Sequence, residues 1–357
     1  MTAEKKKLPA LQGLRGLAIL AIMASHANLV SNAAGKNMLG SLGGFGVECF
    51  LLLTGYLMCY WHLERGIAAA TMREKVGYAL RKLRRYYPLH IVMLIVALPL
   101  AAKSLYYGSL AAWVALPLNI LLLQDWVPRS RVYFSYNGVS WYLSLQLALL
   151  VMAPGTLRWL GNLRRRSMVL LFVGILLLQW VLALAVTGRM PAQVSHWLVY
   201  VLPLTRWFDF VLGGLLYRFL RDFRLPCATP LERCLTLLSF VAIVPIAMST
   251  GGGETHSEVY SVALWSLPCL IILRHLAAEP DRITSVFASW PMVWLGNISF
   301  ELFLIHQLIL RYAEVIGRKA FGHPALGVTS SLIAMAIAIV LAACVHEYRG
   351  YRIKNRK

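Results

Sequence analysis

The sequence predicts an all-α protein that crosses a membrane many times. Hydrophobic residues make up 59% of the 357 residues and charged residues only 14%, whereas a soluble domain carries about 25% charged residues. Apolar runs near the roughly 20 residues needed to cross hydrocarbon recur from end to end. Because a chain in lipid must satisfy its backbone hydrogen bonds within each segment, these runs are predicted to be helices. We expect a single transmembrane domain over 1–357.

Ten crossings are predicted, together with one shorter apolar segment. The basic loops 63–85 and 157–167 are both expected on the cytoplasmic side, so an even number of crossings separates them, and 86–102 and 139–156 already provide two. The segment at 109–124 is short and interrupted by Pro117, so it is predicted to be re-entrant or interfacial on the outer side. The predicted crossings are 8–30, 43–62, 86–102, 139–156, 168–187, 196–217, 232–249, 259–274, 290–311 and 324–346.

The basic residues predict the orientation of these crossings. Of the 35 Lys and Arg residues, 25 fall in alternate connections, which are Lys5 to Lys7, 63–85, 157–167, 218–233, 274–289 and the tail after 347. This asymmetry marks cytoplasmic loops, so both termini are expected to be cytoplasmic. The net charge of +20 then fits anionic lipid headgroups or an anionic cytosolic ligand, and we expect no nucleic-acid partner.

The six cysteines do not follow a disulfide or zinc pattern. None lies in a predicted outward loop, and the chain contains no Cys-x-x-Cys pair. We therefore expect neither disulfides nor a bound metal.

The first crossing carries two polar side chains on one helical face. The segment RGLAILAIMASH begins at Arg15 and ends at His26, eleven residues later, which is about three helical turns and a rise of roughly 16 Å. The functional interpretation is an elongated ligand along this face, with its anionic part near Arg15 and its reactive end near His26. The alternative is that Arg15 snorkels to headgroups and His26 is merely interfacial.

The second crossing carries an acid at a similar depth. The segment GGFGVECFLLLTGYL (43–57) enters from the outer side, which puts Glu48 about one turn inside. A carboxylate against an imidazole fixes its tautomer and raises its basicity. We therefore predict that Glu48 orients His26 as a catalytic pair, with an interfacial acid as the alternative.

Together these two segments resemble acyltransferase family 3. The family's members are membrane-bound enzymes that acetylate lipopolysaccharide, exopolysaccharide and Nod-factor sugars. Its pattern is Arg-x10-His in the first crossing, followed by a second crossing that Gly46, Val47, Glu48, Phe50 and Gly55 match. Thr54 stands where Ser is usual, and Leu51 replaces a Phe.

The next two segments extend the resemblance. RKLRRYYPLH (81–90) is similar to the family's basic R-x-x-R segment, whose spacing either Arg81 with Arg84 or Lys82 with Arg85 can fill. The sequence does not choose between the two pairs, and a basic cluster at this place suits the phosphates of acyl-CoA. Plain cytoplasmic anchoring is the alternative. NGVSWYLSLQLALLVMAP (137–154) matches at Asn137, Trp141 and Pro154, while Gln146 stands where many members carry Glu. The resemblance implies that Asn137, Trp141 and Gln146 line the acceptor side of the cavity.

Two later segments complete the resemblance to the family. LPLTRWFDFVLGGLLY (202–217) places Arg206 and Asp209 at i, i+3, and we predict a structural ion pair there. LGNISFELFLIHQ (295–307) resembles the closing family signature, which implies that Ser299 and His306 face the same cavity as His26. A histidine that merely packs in the protein is the alternative for His306.

The resemblance implies an O-acyltransferase of the bacterial inner membrane. It would move an acetyl or other short acyl group from cytosolic acyl-CoA to a hydroxyl of an extracytoplasmic glycan, with no permanently bound cofactor. Its partners would be acyl-CoA, the glycan and membrane lipids. His26 would act as general base, and an acyl-histidine intermediate stays open. The alternative is a proton-coupled exporter of a glycan or lipid that uses the intramembrane charges as a relay, although no inverted repeat is visible.

Overall fold

The computed structural model describes residues 8–31, 37–223, 229–250, 256–322 and 327–354. Lys5 to Lys7 and Cys227 lie outside these ranges. Within them the chain is helical and forms no β-strand, which confirms the all-α prediction. The helices are α1 (Pro9–His26), α2 (Leu42–His62), α3 (Met72–Leu83), α4 (Tyr87–Tyr106), α5 (Leu110–Leu121), α6 (Ser130–Tyr133), α7 (Trp141–Asn162), α8 (Arg165–Val186), α9 (Ala192–His196), α10 (Pro203–Asp222), α11 (Pro230–Thr250), α12 (His256–Ala278), α13 (Arg282–Phe287), α14 (Trp290–Phe321) and α15 (Val328–Lys354).

Helices occupy all ten predicted crossings, and the chain is a multi-pass membrane protein. In the described residues eight helices are long and apolar enough to cross a bilayer, and they correspond to α2, α4, α7, α8, α10, α11, α14 and α15. The described apolar part of α12 is shorter (Val262–Ala278), and polar side chains at 12, 15 and 26 interrupt the apolar sequence of α1. Helix α5 has 12 residues, which at 1.5 Å per residue is too short to cross.

Glycines hold α1 closely against α14. A Cβ added at Gly16 would meet the Met292 carbonyl oxygen at 2.6 Å, and one at Gly296 would meet the Gln12 carbonyl oxygen at 1.9 Å. Farther along, the same two helices meet again at His26 and His306. Residue numbers therefore rise together along the two helices, so α1 and α14 are parallel. Such small residues allow helix backbones in a membrane to approach closely.

A second glycine contact joins α2 to α10. A Cβ added at Gly55 would lie 1.9 Å from the Phe210 carbonyl oxygen, and one at Gly213 would lie 2.0 Å from that of Leu52. These helices are also parallel, because Glu48 contacts Arg206 and, farther along both helices, Tyr60 contacts Tyr217. The backbones, rather than flexible side chains, form these contacts, so there is no room for a methyl group.

Replacing Gly55 with alanine is therefore expected to destabilise the protein by about 1–3 kcal/mol or more, which is the range for overpacked interiors. Gly155→Ala on α7 is the matched control, because nothing lies within 4 Å of a Cβ at that position. Thermal unfolding of the purified proteins in one detergent measures the difference. Equal unfolding temperatures for the two variants would contradict the close packing of α2 on α10.

Helix α3 was predicted only as part of the cytoplasmic loop 63–85. It begins at a capping box in which the Glu74 backbone N–H donates to Thr71 and the Thr71 backbone N–H donates to the Glu74 carboxylate. These backbone donors lower the pKa of Glu74. The buried side of α3 consists of Tyr78, Ala79 and Leu83. The helix therefore leads directly into the basic segment at 81–85 and positions it at the start of α4.

Candidate active site

Two histidines meet where α1 ends beside the middle of α14. The rings of His26 and His306 have centroids 5.2 Å apart in an edge-to-face arrangement, and His306 Nε2 lies 3.4 Å from His26 Nδ1. His306 is fully buried, whereas the side chain of His26 is accessible. The structure thus brings together these two predicted site residues, which are 280 residues apart in the chain.

The backbone of α1 defines the tautomer of His26. Its Nδ1 lies 2.9 Å from the Ile22 carbonyl oxygen, and a carbonyl oxygen only accepts hydrogen bonds. Nδ1 therefore carries the hydrogen, and Nε2 of the neutral ring holds the lone pair. No described residue bonds to that Nε2, so the basic nitrogen is available to a ligand.

Arg15 lies toward the other end of the same helix. Within the described residues its Nε is buried without a hydrogen-bond partner, and it has no ion pair. The phenol groups of Tyr86 and Tyr142 lie in the neighbourhood of its guanidinium. A partly buried cation that lacks an anionic protein partner is suited to receive an anionic ligand.

Aromatic side chains connect the surroundings of Arg15 with those of His26. The ring of Tyr142 lies 5.3 Å from that of Phe303, and Phe303 lies 6.2 Å from His306. Helix α1 is continuous over Pro9–His26, so residues 15 and 26, eleven positions apart, lie about 20° apart around its axis. The two side chains therefore start from one face of α1.

The predicted contact between Glu48 and His26 is not present. The Glu48 carboxylate instead accepts hydrogen bonds from Arg206 Nη2 and Ser266 Oγ, each at 3.0 Å, and it is fully buried. The physical reason lies in α2: Gly46 packs on the Ala18 carbonyl of α1, and residue 48 is 200° farther around the helix. Glu48 therefore points away from α1, toward α10 and α12.

Glu48 belongs to a buried polar network that links four helices. Arg206 Nη1 lies 3.0 Å from Asp209 Oδ2, which is the ion pair predicted within α10. Gln179 of α8 donates to the other Asp209 oxygen at 2.5 Å. The Arg206 guanidinium thus forms ion pairs with two carboxyl groups in the buried interior. Such an arrangement fixes the relative positions of α2, α8, α10 and α12.

The basic segment at the start of α4 remains open at the surface. The side chains of Arg81, Lys82, Arg84 and Arg85 are all exposed. Arg349 from α15 holds the adjoining backbone, because it donates to the Arg85 carbonyl and, at 2.5 Å, to Glu301 Oε1. Tyr86 then packs on Phe300 with ring centroids 3.8 Å apart. The segment is thereby attached to α14 near Arg15.

The other predicted cavity residues lie around this core. Asn137 is buried and donates to the Leu304 carbonyl, which fixes the start of α7 beside His306. Trp141 is buried, and Gln146 donates to the Tyr142 hydroxyl at 2.7 Å. Ser299 is buried and donates to the Gly296 carbonyl of its own helix, so its hydroxyl hydrogen is bonded within α14.

Sequence reasoning did not identify Ser266 and Gln179 as hydrogen-bond donors to the charged network. It also did not identify Glu301 and Arg349, which together hold the backbone of the basic segment. In both cases the interacting residues lie on helices that are far apart in the sequence. An acid inside an apolar crossing, as Glu301 is, is the signal from which the Glu301–Arg349 pair could have been found.

The chain was compared with known proteins. The family described as "Acyltransferase domain" matches residues 8–346. The chain is similar to the acyltransferase MdmB of Streptomyces mycarofaciens, with 26% identity over 95% of this chain and 88% of that protein. It is also similar to the peptidoglycan O-acetyltransferase OatA of Listeria monocytogenes, with 24% identity over 98% of this chain and 55% of that protein. No solved structure matches the chain.

Proposed function

This chain belongs to the acyltransferase-domain family, acyltransferase family 3, and we propose from that premise that it transfers an acetyl or other short acyl group from cytosolic acyl-CoA to a glycan hydroxyl. The acceptor would lie on the opposite side of the bacterial inner membrane. One observation carries the proposal: a single helical face bears, toward its cytoplasmic end, a guanidinium that forms no ion pair with any described residue and, toward its outer end, a histidine whose basic nitrogen no described residue bonds. A similar protein is named as a peptidoglycan O-acetyltransferase, which supports a glycan acceptor.

In the proposed reaction His26 is the general base. Its Nε2 takes the proton from the acceptor hydroxyl while the hydroxyl oxygen attacks the thioester carbonyl carbon. The carbon–sulfur bond then breaks, and the departing thiolate receives the proton from His26 Nε2. The products are the O-acyl glycan and free CoA, so His26 returns to its starting state and no permanently bound cofactor takes part.

The donor would bind along the inner part of this face. The exposed basic residues at 81–85 suit the nucleotide phosphates, and the pantetheine arm would extend past Arg15 toward His26. The roughly 16 Å between the two residues along α1 is a distance that an extended pantetheine spans. The thioester would thus meet the acceptor near the outer end of α1.

Incubation of the purified protein with radiolabelled acetyl-CoA and short peptidoglycan or polysaccharide fragments tests the proposal. The expected result is labelled O-acetyl glycan that forms with release of one CoA per acetyl group. Movement of the glycan across a proteoliposome membrane without consumption of acetyl-CoA would contradict it and would identify an exporter instead.

Arg15→Ala is expected to raise the KM for acetyl-CoA about 10-fold or more, because a charge-assisted contact worth about 1.5–3 kcal/mol is lost. The folded protein should persist, since none of the described residues forms an ion pair with Arg15 and would lose its counter-ion. Arg189→Ala removes an exposed cation from the other side of the protein and serves as the control; its KM should match the wild type. Saturation kinetics with acetyl-CoA measure the KM. An unchanged KM in Arg15→Ala would contradict the proposal that the donor binds past Arg15.

A further inference from the structure

His306 occupies the place that sequence reasoning had given to Glu48. Its Nδ1 lies 3.0 Å from the Leu302 carbonyl oxygen, which accepts only, so Nδ1 carries the hydrogen of the neutral ring. The lone pair of His306 is therefore on Nε2. That atom lies 3.4 Å from His26 Nδ1.

The two rings thus form a directional pair. The hydrogen on His26 Nδ1 has three acceptors within reach, the Ile22 carbonyl at 2.9 Å, Ser25 Oγ at 3.3 Å and His306 Nε2 at 3.4 Å, and His306 is the one contributed by another helix. In the other tautomer of His26, its Nδ1 lone pair would face the Ile22 carbonyl oxygen and the His306 lone pair, which is repulsive. If His306 instead carried a hydrogen on Nε2, two donors would face each other.

We propose that His306 is the positioning residue of the reaction, holding His26 with its basic Nε2 toward the ligand and stabilising the imidazolium that forms there. This inference rests on the proposed function, in which His26 Nε2 takes a proton. As the proton arrives, positive charge spreads to Nδ1–H, which becomes a stronger donor toward the His306 lone pair. An uncharged acceptor suits this depth because a buried carboxylate would require its own counter-ion.

The surroundings of His306 restrict the orientation of its ring. The side chain is fully buried, and Phe303 packs beside its ring. The neighbouring Gln307 accepts from the Val139 backbone N–H at 3.2 Å, so the start of α7 fixes α14 at this level. The His306 ring therefore has little freedom to turn away from His26.

Two substitutions at one position test the proposal. His306→Gln keeps an acceptor oxygen near the place of Nε2, whereas His306→Leu removes the acceptor from a side chain of similar length. In the acyl-transfer assay, His306→Leu is expected to lower kcat about 10- to 100-fold with the KM for acetyl-CoA unchanged. His306→Gln should recover at least 10-fold of that loss, and both should unfold at similar temperatures.

A second readout does not depend on acyl transfer. Diethyl pyrocarbonate reacts with the unprotonated nitrogen of imidazole, and peptide mass analysis follows its rate at His26. The rate is expected to fall in His306→Leu and to recover in His306→Gln. Equal rates and equal kcat values in the two variants would overturn the proposal. If the protein transferred no acyl group but the reagent rates kept the expected order, the proposed function would fail while the pairing of His306 with His26 stood.

Discussion

His26→Ala is expected to lower acyl transfer by about 10²–10⁴-fold, the usual contribution of a positioned general base. The reason is that Nε2 is the nitrogen that the structure leaves unbonded among the described residues, while Nδ1 is engaged by Ile22. The rate of labelled O-acetyl glycan formation at saturating donor and acceptor measures the loss. The variant must be present in the membrane at wild-type abundance.

The control for this prediction is His62→Ala, which removes the histidine at the C-terminal end of α2. It should retain the wild-type rate. If His26→Ala were as active as His62→Ala, His26 would not be the base, and the acyl transfer would require another group.

Arg206→Leu is expected to destabilise the protein by about 3–5 kcal/mol, the cost of breaking a buried ion pair. The substitution leaves both Glu48 and Asp209 buried without their cation. Thermal unfolding in detergent and the amount of protein that inserts are the measurements.

The matched control for Arg206→Leu is Arg318→Leu. Arg318 also pairs with a carboxylate, at 2.9 Å from Glu314, but the two side chains are 62% and 42% exposed. An exposed pair contributes only about 0–1 kcal/mol. Similar losses of stability in both variants would mean that the network around Arg206 does not hold α2 and α10 together.

Most of the fold could be predicted from hydropathy and charge. The backbone must form helices in lipid, so each long apolar run predicted a helix, and all ten are present. The boundaries were less accurate: α14 continues to Phe321, ten residues beyond the predicted end, because nothing at 311 ends a helix. Helix α3 was not predicted as a helix because it is short and strongly charged, so its sequence contains no apolar run long enough to cross a membrane.

Helical spacing alone could predict the site only where its residues share one helix, whereas the placement of His306 in the cavity of His26 came from the resemblance to the family. Helical spacing placed Arg15 and His26 on a common face, since their angular relation depends on α1 alone. The partner of His26 depends on how helices pack. Similar depth favoured Glu48, but Gly46 turns that side of α2 toward α1 and directs Glu48 to Arg206. His306 comes into place through the close glycine contacts of α1 with α14.

The central claim is that one face of α1 connects a cytosolic donor with an acceptor on the other side of the membrane. Sealed proteoliposomes with the protein in one orientation test it, with labelled acetyl-CoA on the side of the basic loops and the glycan fragment trapped on the other. We predict labelled O-acetyl glycan inside the vesicles, at a rate that His26→Ala abolishes. Label on the glycan only when donor and acceptor share one side would contradict the account.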